Sequence, residues 1–395
     1  MNTADVKRNN TLRVFRVIYK ERVTSKLHIA QALGISLPTV TQCVNELKKE
    51  GLVRDDHRYN SAVGRKAAAI MSVPNCRVAM GVELHPHYVR LVTVNIYNEI
   101  LTETSMNMTY APGEAYYALL GSAINNFFIS CNLTKDIFLG VGIAVQGLPN
   151  REGDKMIFGK LMKNREFSLE ALKTYVHFAC TLRHDAEASA AFTLWNYPEL
   201  RDFIYLGMDI NLGSAVIIDR APHWGRVFPS GLIEHIVVEP EGKLCYCGKR
   251  GCAERYCSSV ALLEDTGETL DTFFAKLRAG NEEYRTRWNT FLQYLASLIG
   301  NLQMVLSIDT VIGGRMAAYF TQEDLNRLYS LMEDSIYDTP DMRPQIMISH
   351  YNDNAAGAAL YYISNFIDHP ICYNDEEQPA LCAAAGQQVV NIAEE

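Results

Sequence analysis

A Cys-x-Cys-x4-Cys run at Cys245, Cys247 and Cys252 restricts the fold of this chain more than any other feature of its sequence. It follows Gly231-Leu232-Ile233-Glu234-His235 and closes in Gly251-Cys252-Ala253-Glu254. Cysteines that merely fill a core would sit on apolar faces, whereas these sit among Gly, Lys and Arg. In a cytosolic setting such spacing reads as a metal site rather than a disulfide framework. Three thiolates and one imidazole complete a tetrahedral zinc site, and Gly242, Gly248 and Gly251 let the chain fold tightly around an ion. Cys257, five residues beyond Cys252, is a rival for the fourth position.

The rest of the chain supports that setting. Its 395 residues are 48% hydrophobic and 21% charged, which excludes disorder, a collagen-like repeat and a disulfide-stapled miniprotein. The length predicts two or three domains. No apolar run approaches the ~18 residues of a membrane span; Ile137–Leu148 is the longest, and Gly and Gln interrupt it. Asp5, Lys7, Arg8, Arg13 and Arg16 leave no uninterrupted signal-peptide core, so a cytoplasmic location and no membrane partner are expected. The net charge of −8 hides a division: residues 1–75 hold 13 Lys/Arg against 6 Asp/Glu, and the remainder hold 24 against 39. A basic module with an anionic partner, attached to an acidic body, follows from that asymmetry.

The basic part carries the pattern of a winged helix. Asn10–Lys20 places Val14, Phe15 and Ile18 on one helical face. Thr24 or Ser25 caps a second helix with an Ile29, Ala30 and Leu33 stripe, and Gly34 ends it. Ser36 caps a third helix, in which Val40, Val44 and Leu47 recur at i, i+4 and i+7 before Gly51. Helix, Gly turn and helix form a helix-turn-helix. With Val40 and Val44 inward, Pro38, Thr39, Gln42 and Cys43 are expected outward, with Ser36, Pro38, Thr39 and Gln42 set for double-stranded DNA. Lys48 and Lys49 read as phosphate contacts or solvated charges. Strands at Leu52–Arg58 and Ala67–Val73 flank Gly64-Arg65-Lys66, a wing tip that sets Arg65 and Lys66 for phosphate or the minor groove.

Beyond Val73-Pro74-Asn75 the pattern becomes α/β. Strands are expected at Arg77–Val82, Tyr88–Tyr97, Glu99–Met108 and Ile137–Val145, with a helix at Glu114–Cys131. A second round follows, with strands at Phe203–Leu206, Ala215–Asp219 and Thr310–Ile312 around two long helical stretches. Two such halves imply a cleft between lobes.

With these motifs the chain resembles transcriptional regulators of the ROK family, which unites repressors with sugar kinases. The family hallmark, Gly-Glu-x-Gly-His followed by Cys-x-Cys-Gly-x-x-Gly-Cys-x-Glu, aligns without gaps onto Gly231–Glu254. The resemblance implies that His235, Cys245, Cys247 and Cys252 bind zinc, which favours His235 over Cys257. It implies a two-lobed, actin-like ATPase fold behind the winged helix-turn-helix. The corresponding domains are a head at 1–73, a small lobe at 76–200, a large lobe at 201–372 with the zinc loop, and a tail at 373–395. A final helix near 355–366 would pack back on the small lobe.

The same resemblance places an effector site. Asp185 matches the kinases' general base, and His235 and Glu254 match sugar-site positions; Asp185 also suits a helix cap before Ala186–Leu194. Departures are His184 for the family Asn, Leu232 for the hallmark Glu, Glu234 for its Gly, and Lys160-Leu161 for an Asn-Leu pair. Lys160 and His184 add cationic character, which extends the expected effectors to phosphorylated or acidic sugars. The kinases' phosphate turn, Asp-x-Gly-x-Thr, is here Glu83-Leu84-His85-Pro86-His87, and the second phosphate loop reads Met208-Asp209-Ile210-Asn211-Leu212-Gly213. Bulk, a Pro without a donor and an added carboxylate all oppose phosphate binding, although Ile312-Gly313-Gly314 keeps the adenosine-side turn. A non-enzymatic repressor of carbohydrate genes, working as a homodimer or higher oligomer, is the expected function. A sugar kinase with an appended DNA-binding domain, and a body that binds a protein partner, are the competing readings.

Overall fold

The computed structural model describes residues 3–56, 69–226, 231–332 and 344–370. The chain opens with α1 (Thr3–Glu21), β1 (Val23–Ser25), α2 (Lys26–Leu33), α3 (Leu37–Lys49), β2 (Val53–Asp56) and β3 (Ala69–Ser72). Helix α1 starts well before Asn10; residues 5–9 are exposed, so apolar periodicity gives no sign of them. Ser25 Oγ accepts the His28 N–H and caps α2, which ends at Gly34 in the left-handed region. Ser36 Oγ accepts the Thr39 N–H (3.3 Å) and caps α3. Cys43 corrects the sequence expectation: it is buried with Val40, Val44 and Leu47 against Val14, Phe15 and Ile18. It stands at i+3 of the apolar stripe, one turn from Val40, so it points into the core. Strand β3 lies between β1 and β2, both antiparallel to it. The wing tip with Arg65 and Lys66 lies outside the described residues.

The body holds two five-stranded sheets built to one plan. The first comprises β4 (Val78–Leu84), β5 (Tyr88–Asn95), β6 (Ile100–Asn107), β7 (Phe138–Val145) and, after the two-stranded flap β8 (Leu148–Pro149) and β9 (Met156–Phe158), β10 (Cys180–His184). Its order is β10-β7-β4-β5-β6, with β10, β7 and β4 parallel and β5 and β6 antiparallel additions. Helices α4 (Glu114–Ser130) and α5 (Leu169–Lys173) cover one face. After α6 (Asp185–Asn196) the second sheet forms from β11 (Phe203–Met208), β12 (Leu212–Ile218), β13 (Ala221–Pro222), β14 (Asp309–Gly313) and β15 (Ile346–Ile348). Its order, β13-β12-β11-β14-β15, repeats the first: β11, β14 and β15 parallel, β12 and β13 antiparallel. Between β13 and β14 come α7 (Ser259–Leu263), α8 (Leu270–Arg278) and α9 (Glu282–Leu306), and α10 (Gln322–Met332) precedes β15.

The halves exchange helices. Helix α6 follows the first sheet but packs on β11 and β12 of the second, whereas α11 (Asn354–Asp368) follows the second sheet and packs on β4 and β7 of the first. The two helices also pack on each other. A Cβ at Gly357 of α11 would fall 1.9 Å from the Ala188 carbonyl of α6, so only glycine permits this approach. At its far end α11 reaches the head. Phe366 meets Phe15 edge-on (5.8 Å), and Arg16 pairs with Asp368 (3.1 Å). Tyr19 stacks on Tyr97 (5.1 Å), under the Arg22 guanidinium. The core of the head therefore runs without a break into that of the body.

Candidate functional site

A cleft of about 340 Å³ opens between the two sheets. Asp185 stands on its floor as the first residue of α6, directly after β10, with its Oδ1 accepting the Ala186 N–H (2.9 Å) and lying 3.2 Å from His184 Nε2. His184 holds the N-cap position of α6 without a side-chain capping bond, and Asp185 is the first helical residue. Burial, with a contribution from Asp209, pushes the Asp185 carboxyl up to about 7. Burial also lowers the His184 imidazole below its ordinary value, leaving it neutral near pH 7. The cationic character expected of His184 is thus corrected: in a dry pocket the neutral form wins. Lys160 lines the mouth and donates to the Cys247 carbonyl (3.1 Å), tying the loop after β9 to the metal loop.

Glu254 and His235 are not among the cleft-lining residues. Both Glu254 oxygens are engaged, by Asn211 Nδ2 (2.6 Å) and the Leu212 N–H (2.7 Å), so this carboxylate fixes the loop before β12. Glu234 does line the cleft, hydrogen-bonded to Ser214 Oγ (2.5 Å), and burial pushes it up to about 8. Sequence reading passed over Arg90 and Tyr246. Arg90 makes two 2.8 Å bonds to Asp353, and Asp353 in turn caps α11 through the Ala356 N–H (2.8 Å). The signal for Tyr246 was present: an aromatic residue set between Cys245 and Cys247 in a loop rich in Gly, Lys and Arg.

His235, Cys245, Cys247 and Cys252 converge, with one donor atom from each within 4.8 Å of all the others. His235 Nδ1 lies 3.6 Å from Cys245 Sγ, and Cys247 Sγ lies 3.6 Å from Cys252 Sγ. Burial, then Lys249 and Lys160, lowers His235 and keeps the imidazole in the neutral form a metal needs. The Lys249 N–H points at Cys247 Sγ (3.5 Å), an arrangement that favours thiolate. Gly251 makes the knot possible: its φ is +76°, and a Cβ there would collide with the Glu239 carbonyl at 1.8 Å. Cys257 stays apart in the core beside Ala253 and Leu262, which removes it as fourth ligand. Four protein donors with no open position suit a structural metal.

The two turns that hold phosphate in a kinase are filled here. His85 stacks on Tyr88 (4.2 Å) and both line the cleft, so rings stand where backbone N–H groups would have to face an anion. Asp209 Oδ1 takes the Arg315 N–H (2.9 Å) and Nε (3.2 Å), so a side-chain carboxylate already sits on the donors after the Gly313-Gly314 turn.

On the head, Pro38, Thr41, Gln42, Asn45 and Lys49 form one outward stripe of α3. Thr41 and Asn45, four residues apart and so on one face, line the same concavity as Gln42. Ser36 and Thr39 are bonded to each other (2.8 Å) at the cap. Lys48 closes on Asp55 of β2 (2.6 Å), an ion pair within the head rather than a solvated charge.

A winged helix-turn-helix continuous with a two-lobed, sugar-kinase-like body is the class that fold and site define. The ROK family pattern matches residues 79–363 and a winged helix-turn-helix DNA-binding pattern matches residues 7–54. The chain belongs to the ROK family. The xylose repressor of Caldicellulosiruptor bescii is 24% identical over 390 residues, 92% of this chain and 98% of that protein. A ROK family transcriptional regulator, a homologue of the Escherichia coli MLC protein, superposes with a TM-score of 0.75 at 17% identity, over 96% of this chain and 99% of its own. A ROK family glucokinase from Streptomyces griseus, in complex with glucose and AMPPNP, matches the fold at 19% identity and a TM-score of 0.60, over 71% of this chain and 98% of its own.

Proposed function

We propose that this chain is a DNA-binding repressor of carbohydrate-utilisation genes whose body senses a sugar or sugar phosphate. The observation that carries the reading is a DNA-binding head that shares one core with a kinase-like body whose phosphate turns are filled. The similarity to a xylose repressor supports the carbohydrate assignment. The working units are a head at 1–73, lobes at 76–200 and 201–372, and a tail at 373–395. Ser36, Pro38, Thr39, Gln42, Arg65 and Lys66 meet operator DNA. Asp185, His184 and Lys160 meet the effector, with His235 and Glu254 bracing the wall behind. His235, Cys245, Cys247 and Cys252 hold one zinc ion, which supplies a rigid cross-link and no chemistry of turnover. The protein works in the cytoplasm as a homodimer, because one α3 spans too few base pairs for useful specificity.

Helix α11 links the two activities. Asn352, Asp353 and Asn354 at its start line the cleft, and Phe366 and Asp368 at its end hold α1. An effector that favours one lobe arrangement shifts α11 and with it the heads.

Binding to genomic fragments at fixed salt tests this function. Gln42→Ala is expected to weaken operator binding by about 1–3 kcal/mol and to relax preference at one base position. Equal affinity for every fragment, or a Gln42→Ala variant that matches the parent, rejects specific readout by α3. A second assay addresses enzymology: with ATP and D-glucose, D-xylose or N-acetyl-D-glucosamine, no phosphoryl transfer is expected. Transfer that disappears in Asp185→Asn would make the chain a kinase.

A further inference from the structure

The outward side of α3 carries a narrow set of chemical groups. Leu37, Thr41 and Asn45 follow one another at i, i+4 and i+8, and with Gln42 they line one concavity. Leu37 is the first residue of the helix and 47% exposed; Gln42 and Asn45 are exposed and Thr41 is half-buried. In a helix-turn-helix the first part of the second helix meets base edges in the major groove. From Leu37 to Asn45 the helix rises about 12 Å, the length of three or four base pairs.

What this stretch lacks is as informative as what it holds. Guanine is read by the donors of an arginine or lysine, and cytosine by a carboxylate. Helix α3 has no arginine, and neither charge type occurs between Leu37 and Asn45. Glu46 is engaged inside the head, by Lys7 (2.5 Å) and Thr11 (3.3 Å), and Lys48 by Asp55 (2.6 Å). Lys49 stands one turn beyond Asn45, at the last helical position. The groups that remain are two carboxamides and two apolar surfaces. A carboxamide can donate to adenine N7 while accepting from N6, and an apolar side chain or a threonine methyl fits the 5-methyl group of thymine.

We propose that Leu37, Thr41 and Asn45 are specificity residues of this head, and that with Gln42 they select a run of A·T pairs at the centre of each half-site. Asn45 takes an adenine edge, and Leu37 and Thr41 pack on thymine methyl groups. This rests on the operator reading above and narrows it to a base composition. A preference for A·T pairs also arises without base contacts, from the narrow minor groove of A-tracts. The two sources are separable, because adenine N7 and the thymine methyl both lie in the major groove.

Selection from a random duplex pool by the full chain, at fixed salt, is expected to return half-sites with at least three consecutive A·T pairs. Deoxyuridine and 7-deazaadenine are then placed at each thymine and adenine of the selected site in turn. At one thymine or more, deoxyuridine should weaken the parent about fourfold, the scale of one buried methyl group. In a Leu37→Ala, Thr41→Ser double variant that loss should fall below about twofold. At one adenine or more, 7-deazaadenine should weaken the parent about fivefold, the scale of one hydrogen bond, and Asn45→Ala should be insensitive there. All three substitutions lie on the outward side of α3, so the head keeps its core. A half-site centred on G·C pairs, a parent indifferent to both modified bases, or losses that persist in either variant overturns the proposal and leaves a DNA-binding regulator standing. A pool that yields no preferred sequence overturns the operator reading itself.

Discussion

Cys252→Ala is expected to strip the chain of its metal and to destabilise it more than any change on the exposed face of the head. Elemental analysis of the parent should find one zinc per chain, and of the variant less than about a tenth of that. Cys252 is fully buried at the base of the knot, and its backbone pairs with Val237 across the loop. Removing its thiolate takes away one of four donors and leaves Cys245, Cys247 and His235 crowded around an unfilled centre. At structural zinc sites the binding free energy is folding free energy, about 10–16 kcal/mol in isolated zinc-finger peptides. Here the surrounding lobe has its own core around Phe273, Trp288 and Phe291, so only part of that is at stake. A loss of about 4 kcal/mol or more belongs to the exceptional class of single substitutions. For a lobe of this size it corresponds to a fall in Tm of roughly 8–16 °C. Cys257→Ala provides the control, because it empties an equally buried position outside the ligand set and should retain the metal. Equal metal content in the two variants, or a parent that carries no metal, would sink the assignment.

The consequence should reach the cleft. Tyr246 sits between two ligands, and Lys160 bonds to the Cys247 carbonyl, so the knot positions both an apolar wall and the mouth. Softening it should weaken sugar binding even though no ligand residue lines the cavity, a separation of roles that Asp185→Asn would not reproduce.

Much of the head was legible because its rules are local. Ser25, Gly34 and Ser36 each announce a helix end within three or four residues, and the Val40–Leu47 stripe sets the buried face. Cys43 was misjudged because a small sulfur side chain carries no hydrophobic emphasis in a sequence, yet its helical angle puts it with Val40 and Val44. In the body, strand positions followed from apolar alternation, while the exchange of α6 and α11 did not. It depends on Gly357 meeting Ala188 and on Gly81 meeting Ala355, contacts between residues far apart in the chain. The cluster of His235, Cys245, Cys247 and Cys252 could be named from spacing and hallmark, because residues of one short stretch form it. Charge in the cleft could not be read the same way. His184 counts as a potential cation in a sequence, but burial makes it neutral, and the pairing of Arg90 with Asp353 spans 263 residues.

Phe366→Ala is expected to cost about 3–5 kcal/mol in a urea melt, the usual loss when a buried aromatic ring is cut back to a methyl group. The ring is fully buried, edge-on to Phe15 of the head, with the Arg77 guanidinium 5.4 Å from its centre. It lies at the one end of α11 that is shared by both cores, so the cavity should open between head and body rather than within either. Two outcomes should therefore appear together. The single cooperative transition expected of the parent should divide, with the head melting at lower urea than the lobes. The sugar that binds most tightly in calorimetry should also lose its influence on operator affinity while still binding the cleft, because Phe366 is not among the lining residues. Arg16→Ala offers a milder cut. It removes the partner of Asp368, which burial already pushes up to about 6, and leaves the aromatic contacts in place. It should lower coupling without dividing the melt, because the apolar contacts that join the cores remain. The size of the coupling is the quantity to measure: the ratio of operator affinities with and without sugar, in parent and variants, gives the free energy that passes through α11. An unchanged ratio in Phe366→Ala would mean that the lobes signal to the heads by another route, and the role given to α11 would fall.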